Sequence, residues 1–118
     1  MGDSFSTAGI IILQPSSATV PYTFIFAAAS SATANDGSIP FGSTITGADV
    51  KAFDSTGTDR TSEMIESETN TTTVVTVNLK YPSTTGPGNY SLEFVLTLST
   101  GAVLEVDFTR VFAKDITA

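Results

Sequence analysis

The chain has 118 residues, which is the length of one domain with a sandwich-sized core. Its formal charge is −7 with only five Lys or Arg, so it lacks the basic footprint that phosphate neutralisation demands and nucleic acid is not an expected partner. Cysteine and histidine are both absent, which excludes disulfides, thiolate and imidazole metal sites and the Ser-His-Asp triad, and fits synthesis in a reducing cytosol.

Residues 1–8 are polar and are expected to be loose apart from Phe5. Residues 9–14 (GIIILQ) form a short apolar run stopped by Pro15, suited to a first strand at a sheet edge. In residues 20–28 one face carries Val20, Tyr22, Phe24, Phe26 and Ala28, with Thr23 and Ile25 opposite; this period of two predicts a second strand and half of the core. Residues 22–34 (YTFIFAAASSATA) imitate a signal peptide, but no Lys or Arg occurs before Lys51 and the apolar run is too short to span a bilayer. Neither secretion by a signal peptide nor a membrane partner is expected.

Residues 30–44 are rich in Ser, Ala and Gly and contain Asn35-Asp36-Gly37, predicting a crossing between sheets or an exposed arch. A third strand over 45–53 alternates Ala48, Val50 and Ala52 against Asp49, Lys51 and Phe53. Asp54-Ser55-Thr56-Gly57 reads as a turn, residues 61–65 as a weak strand, and 66–71 as a polar loop. Residues 73–80 predict another strand, with Val75, Val77 and Leu79 inward and Thr76, Asn78 and Lys80 outward. After a break at 81–88, Tyr90, Leu92, Phe94, Leu96 and Leu98 alternate with Ser91, Glu93, Val95 and Thr97. The alternation resumes with Leu104, Val106 and Phe108 against Glu105, Asp107 and Thr109.

Parity decides the turn between these last two strands. A two-residue loop at Thr100-Gly101 would turn one apolar set outward. A three-residue loop, with Gly101 in the left-handed position, pairs Leu92 with Phe108 and Phe94 with Val106 so that both sets face one core. About seven short strands at these spacings predict an all-β, antiparallel two-sheet sandwich in a single domain over 1–118.

Chemistry is scarce. Residues 54–59 (DSTGTD) have some character of a calcium loop, but the glycine is fourth rather than sixth and no helices flank it, so a plain hairpin turn is the better reading. Glu63, Glu66 and Glu68 cluster in sequence, yet a glycosidase pair must be held across a cleft at about 5 to 9 Å; a solvated acidic loop is the simpler expectation. Asn70-Thr71-Thr72 and Asn89-Tyr90-Ser91 match the glycosylation sequon and read as chance in so Ser/Thr-rich a chain. No catalytic constellation and no cofactor are expected, and the chain is not read as an enzyme.

Tyr90, two residues before the core position Leu92, matches the tyrosine corner of immunoglobulin-like sandwiches, where the hydroxyl bonds nearby backbone; the plainer alternative is an ordinary strand tyrosine. Leu92 stands where antibody domains place a cysteine, and the chain has no tryptophan, so it is not an antibody-type domain. The order of GSIPFGSTI (37–45), FDSTGTD (53–59), KYP (80–82), GPGNY (86–90) and STGAVLE (99–105) resembles small immunoglobulin-like structural proteins of tailed phages and prophages, of the fibre–tail adaptor kind. That resemblance spans about residues 37–114, with turns and strand edges as its motifs. It implies an immunoglobulin-like sandwich that is made in the bacterial cytoplasm and assembled into a virion. Its partners would be other virion proteins or further copies of itself.

The deduced register points to one docking face. It sets Glu93 across from Asp107 on the outer side of the last hairpin, with Val95 and Glu105 beside them. Like charges so placed are unfavourable by an amount within about 0.2 to 1 kcal/mol, a cost that a basic partner would relieve; the bland reading is a screened, charge-guarded sheet. A carbohydrate-binding or adhesin module is the alternative function, weakened by the lack of Trp and the three Tyr, since sugar platforms use flat aromatic faces.

Overall fold

A computed structural model describes residues 10–13, 15, 19–34 and 36–114. Residues 1–8, Gly9, Gln14 and Asn35, which figure in the sequence reading, lie outside the described residues. Among the described residues there are seven strands and one short helix in two sheets. One sheet has the order β1-β7-β6-β3, comprising β1 (Ile11–Leu13), β7 (Val103–Ala113), β6 (Gly88–Leu98) and β3 (Ile45–Asp54). The other has the order β2-β5-β4, comprising β2 (Val20–Ile25), β5 (Val74–Leu79) and β4 (Ile65–Asn70). The chain is a two-sheet β-sandwich.

The inward residues of each alternating segment meet between the sheets. Phe24, Phe26, Val75, Val77, Leu79, Leu92, Phe94, Leu96 and Phe108 are all buried there. The Phe24 ring sits 4.8 Å from that of Phe94 and 5.4 Å from that of Phe108, and Phe26 lies 5.5 Å from Phe94. These tilted and edge-on contacts tie the two sheets together at their middle. Val106, expected in the core with them, is only half-buried at its margin.

The β6–β7 hairpin has the deduced register: Leu92 pairs with Phe108, Glu93 with Asp107 and Phe94 with Val106. Its loop is Ser99-Thr100-Gly101, closed by Leu98 N–H to Ala102 O at 2.9 Å, and Gly101 takes φ 89°, a conformation that costs glycine little. Below this stretch the pairing shifts by one residue between Tyr90 and Leu92. Thr109 and Arg110 together oppose Ser91, a bulge that ends the simple alternation and turns Val111 and Ala113 into the core after Phe108.

β1 lies at a sheet edge as expected, but it runs parallel to β7, with Ile11 beside Val111. The sandwich is therefore antiparallel except at this edge pair. The 30–44 connection crosses from one sheet to the other; Gly37 lies so close to Ala28 and Ala29 that a Cβ there would overlap the Ala29 backbone. Between β3 and β4 the sequence reading is corrected. Residues 61–64 form a helical turn, α1 (Thr61–Met64), in place of a weak strand, and the expected loop at 66–71 is mostly the strand β4. The Asp59 carboxylate accepts from Thr61 N–H at 2.8 Å and starts the turn, which drops Met64 into the core. β4 is polar on both faces because backbone pairing with β5 holds it, so hydrophobic alternation never marked it.

Candidate functional site

The four residues expected to form a docking face come together. On the outer face of the four-stranded sheet, one row runs Lys51, Glu93, Asp107 and the next runs Asp49, Val95, Glu105. Glu93 and Val95 are half-buried in the middle of the sheet, while Glu105 and Asp107 are exposed on β7. Asp49 and Lys51 belong to the face although the hairpin register alone did not show it. Their outward parity was legible in β3; the fact that β3 lies beside β6 was not. The patch thus holds four carboxylates and one ammonium. Among the described residues, none of these five charges is in an ion pair within 4.0 Å; the pairs that do form are Arg60–Asp54, Arg60–Glu63 and Lys80–Glu66.

A second polar cluster closes the end of the sandwich near Tyr90. Asp54 accepts from Thr56 Oγ1 at 2.6 Å, from the N–H groups of Thr56 and Thr58, and from Arg60 Nε at 3.0 Å. The Thr56 hydroxyl leads these donors in holding the Asp54 carboxyl far below the usual carboxylate range. Arg60 Nη1 also reaches Glu63 at 3.3 Å, and Glu63 accepts from the Thr85 hydroxyl and N–H at 2.9 and 3.0 Å. The Thr85 hydroxyl is the main reason that the Glu63 carboxyl lies below its usual range, with its N–H and Arg60 adding to it. Tyr90 Oη donates to Gly86 O at 2.6 Å, so the hydroxyl has the backbone partner expected of a corner. Burial pushes the phenol upward, and the Glu63 and Asp54 charges push the same way.

The three glutamates do not converge. Glu63 belongs to this end clasp and Glu66 pairs with Lys80 at 3.4 Å. Glu68 crosses from β4 to β3, where its two oxygens accept from Val50 N–H at 3.2 and 3.1 Å. Burial pushes the Glu68 carboxyl above its usual range; the Val50 N–H opposes this, and the Asp49 charge adds to it. In the turn at 54–59 the Asp54 oxygens face the turn's own donors, as a hairpin reading requires. Among the described residues no group of three or more acidic side chains is placed to hold a metal ion. None of their helices is long and apolar enough to cross a membrane. Compared with protein-family models, curated proteins and solved structures, the chain matches none.

Proposed function

We propose that this chain is a non-catalytic, virion-associated adaptor module of the tailed-phage kind that its turn motifs resemble. It binds a basic surface of a neighbouring virion protein through the outer face of the four-stranded sheet. The observation that carries the reading is the row in which Glu93 stands against Asp107, with Glu105 next to it and no cation within ion-pair distance among the described residues. Such a field steers a basic partner and raises its association rate more than its final affinity. The immunoglobulin-like part of the reading is supported by strand order. With the strands lettered A to G, β2-β5-β4 becomes B-E-D and β3-β6-β7 becomes C-F-G, an order shared with constant-type domains, although β1, strand A, pairs with G here and not with B. The Tyr90 hydroxyl bond supports it too.

The test is co-purification with the products of the adjoining genes, followed by association kinetics over a salt series. Head, neck or tail proteins should bind stoichiometrically, and the combined Glu93→Lys and Asp107→Lys protein should fold normally yet associate more slowly. Equal assembly by the reversed protein at every salt concentration would remove this face from the interface. Specific hits on a glycan array, with no binding by neighbouring gene products, would instead favour the carbohydrate module.

A further inference from the structure

The crossing between the sheets is fastened over one short stretch. Asp36 Oδ1 accepts from Ser30 N–H at 3.0 Å, and Oδ2 accepts from the Ser30 hydroxyl at 2.8 Å. Just beyond, Ser38 N–H donates to Ala27 O at 2.8 Å and Ala29 N–H donates to Ile39 O at 2.9 Å. Gly37 lies between these contacts, where a Cβ would come within 2.1 Å of Ala29 N. The fold therefore uses a carboxylate at 36 and the lack of a side chain at 37, each for its own reason. Together they make the only Asp–Gly or Asn–Gly pair in the chain. In such a pair no side chain shields the glycine nitrogen from the carboxyl carbon of the residue before it. Glycine's backbone freedom lets the two atoms meet.

We propose that Asp36–Gly37 is a self-modification site, forming isoaspartate, that the two Ser30 contacts hold closed in the folded chain. The step needs no reactant besides water. The Gly37 nitrogen bonds to the Asp36 carboxyl carbon; the C–OH bond breaks, and the hydroxyl leaves with the amide proton as water. The cyclic imide then takes up a water. Opening at its main-chain carbonyl gives isoaspartate, in which the backbone runs through the former side chain. Nothing is oxidised or reduced, and the overall mass is unchanged.

Two features of the folded chain oppose ring closure. Both carboxyl oxygens are engaged by Ser30, so the side chain is not free to rotate toward the Gly37 nitrogen. The hydroxyl leaves only from a protonated carboxyl. The Ser30 N–H, and after it the Ser30 hydroxyl, hold that carboxyl below its usual range. The consequence of reaction is set by Gly37. The extra main-chain carbon enters directly before it, where the fold has no room for a Cβ. The flanking bonds at Ser38 and Ala29 should break with it.

The test ages the full chain at neutral pH, folded and in denaturing guanidinium, and maps isoaspartate by peptide digestion. Deamidation of the neighbouring Asn35 raises the mass and is told apart by that. Isoaspartate should gather at position 36 ahead of every other aspartate, and about tenfold or more slowly in the folded chain, where the contacts must first open. Ser30→Ala removes the hydroxyl contact and should speed the folded-state reaction several-fold. Ser30→Thr keeps a hydroxyl and should stay near the parent. Hydrogen exchange in β6, remote from the crossing, checks that each variant is folded. In the separated isoaspartate form, exchange at Ala29 and Ser38 should be faster. Equal rates in the folded and unfolded parent, or a folded Ser30→Ala protein no faster than the parent, would overturn the role of Ser30. Isoaspartate arising first at another residue would overturn the site itself.

Discussion

The two long edges of the four-stranded sheet differ in how their backbone groups are treated. Along β3 three outward N–H groups are bonded: Val50 to Glu68, Ala52 to Thr61 Oγ1 at 3.0 Å, and Asp54 to Thr58 O at 3.0 Å. Along β7 above the bulge no side chain among the described residues bonds them, and the carboxylates of Glu105 and Asp107 stand beside them. Closing the first edge costs the fold a partly desolvated glutamate. Guarding the second costs only a like-charge pair on the surface. Side-chain closure shuts an edge to every strand. A charged edge shuts out like-charged chains, including further copies of a protein at −7, and admits a basic one.

The largest effect should come from removing what the two edges share. β6 lies between β3 and β7, and Phe94 from its centre touches Phe24 and Phe26 of the facing sheet. Phe94→Ala should cost about 3 to 5 kcal/mol in denaturant unfolding. Hydrogen exchange should then accelerate in β3 and β7 together. Loss in one strand alone would mean that the edges are not carried by a common core.

Next in size is the closed edge alone. Glu68→Ala leaves Val50 N–H without its acceptor and should cost about 1 to 3 kcal/mol; Glu105→Ala, which leaves no backbone group unpaired, should stay within about 0.5 kcal/mol of the parent. Glu68→Gln separates the bond from the charge. The folded-state pKa of Glu68 lies above its unfolded value, so its charged form carries a penalty that is complete above the folded pKa and relieved as pH falls through it. The amide keeps an acceptor oxygen and avoids that penalty. Glu68→Gln should therefore match or exceed the parent at pH 7, with the difference shrinking as pH falls through the raised folded-state value. Asp54 and Glu63 have the opposite sign: their contribution is complete above the ordinary carboxylate range and is lost as pH falls through their lowered values. Acid unfolding of the parent should begin in the end clasp.

The contrast between edges also marks what sequence could reveal. Where burial alternates, as in β5 and β6, the pattern Val75-Val77-Leu79 or Leu92-Phe94-Leu96 carried the strand and its face, and for β6 the register against β7 as well. The Glu93–Asp107 row followed from parity and loop length alone. The closed edge was illegible because nothing local marks it. Glu66, Ser67 and Glu68 look like a loop; they become a strand through pairing with β5, and Glu68 becomes a plug only because β3 lies within reach. The helical turn at Thr61–Met64 was hidden for a similar reason, since one turn has no periodicity and a single buried Met64 closes it. Strand neighbours, unlike strand faces, are a property of the whole chain. That is why Lys51 was missed beside Glu93.

A smaller effect tests the end at which both long edges meet the clasp. Tyr90→Phe keeps the buried ring and removes the bond to Gly86 O, which should cost about 0.5 to 1.5 kcal/mol. Because Gly86 shares its loop with Thr85, the substitution should also loosen Glu63, and the acid unfolding midpoint should move toward neutral pH. An unchanged midpoint would confine the hydroxyl to its own bond.

The smallest effect separates the two halves of the acidic row. Lys51, Glu93 and Asp107 lie side by side on three strands, so Glu93 already has a cation on one flank and a like charge on the other. Asp107→Lys places a cation on both flanks of Glu93. It should stabilise the fold by about 0.2 to 1 kcal/mol at low ionic strength, and the gain should fade as added salt screens an exposed pair. Glu93→Lys relieves Asp107 but sets two cations together beside β3, exchanging one like-charge contact for another, and should leave stability nearly unchanged. Both substitutions remove negative charge from the face and should slow association with a basic partner. For Asp107→Lys, stability and binding should thus move in opposite directions. Thermal melts of the two variants at low and high salt read the first, and stopped-flow association reads the second. If the two proteins melt alike at low salt, the row is adjacent in geometry without being coupled in energy. The like-charge contact would then no longer be a cost for a partner to relieve.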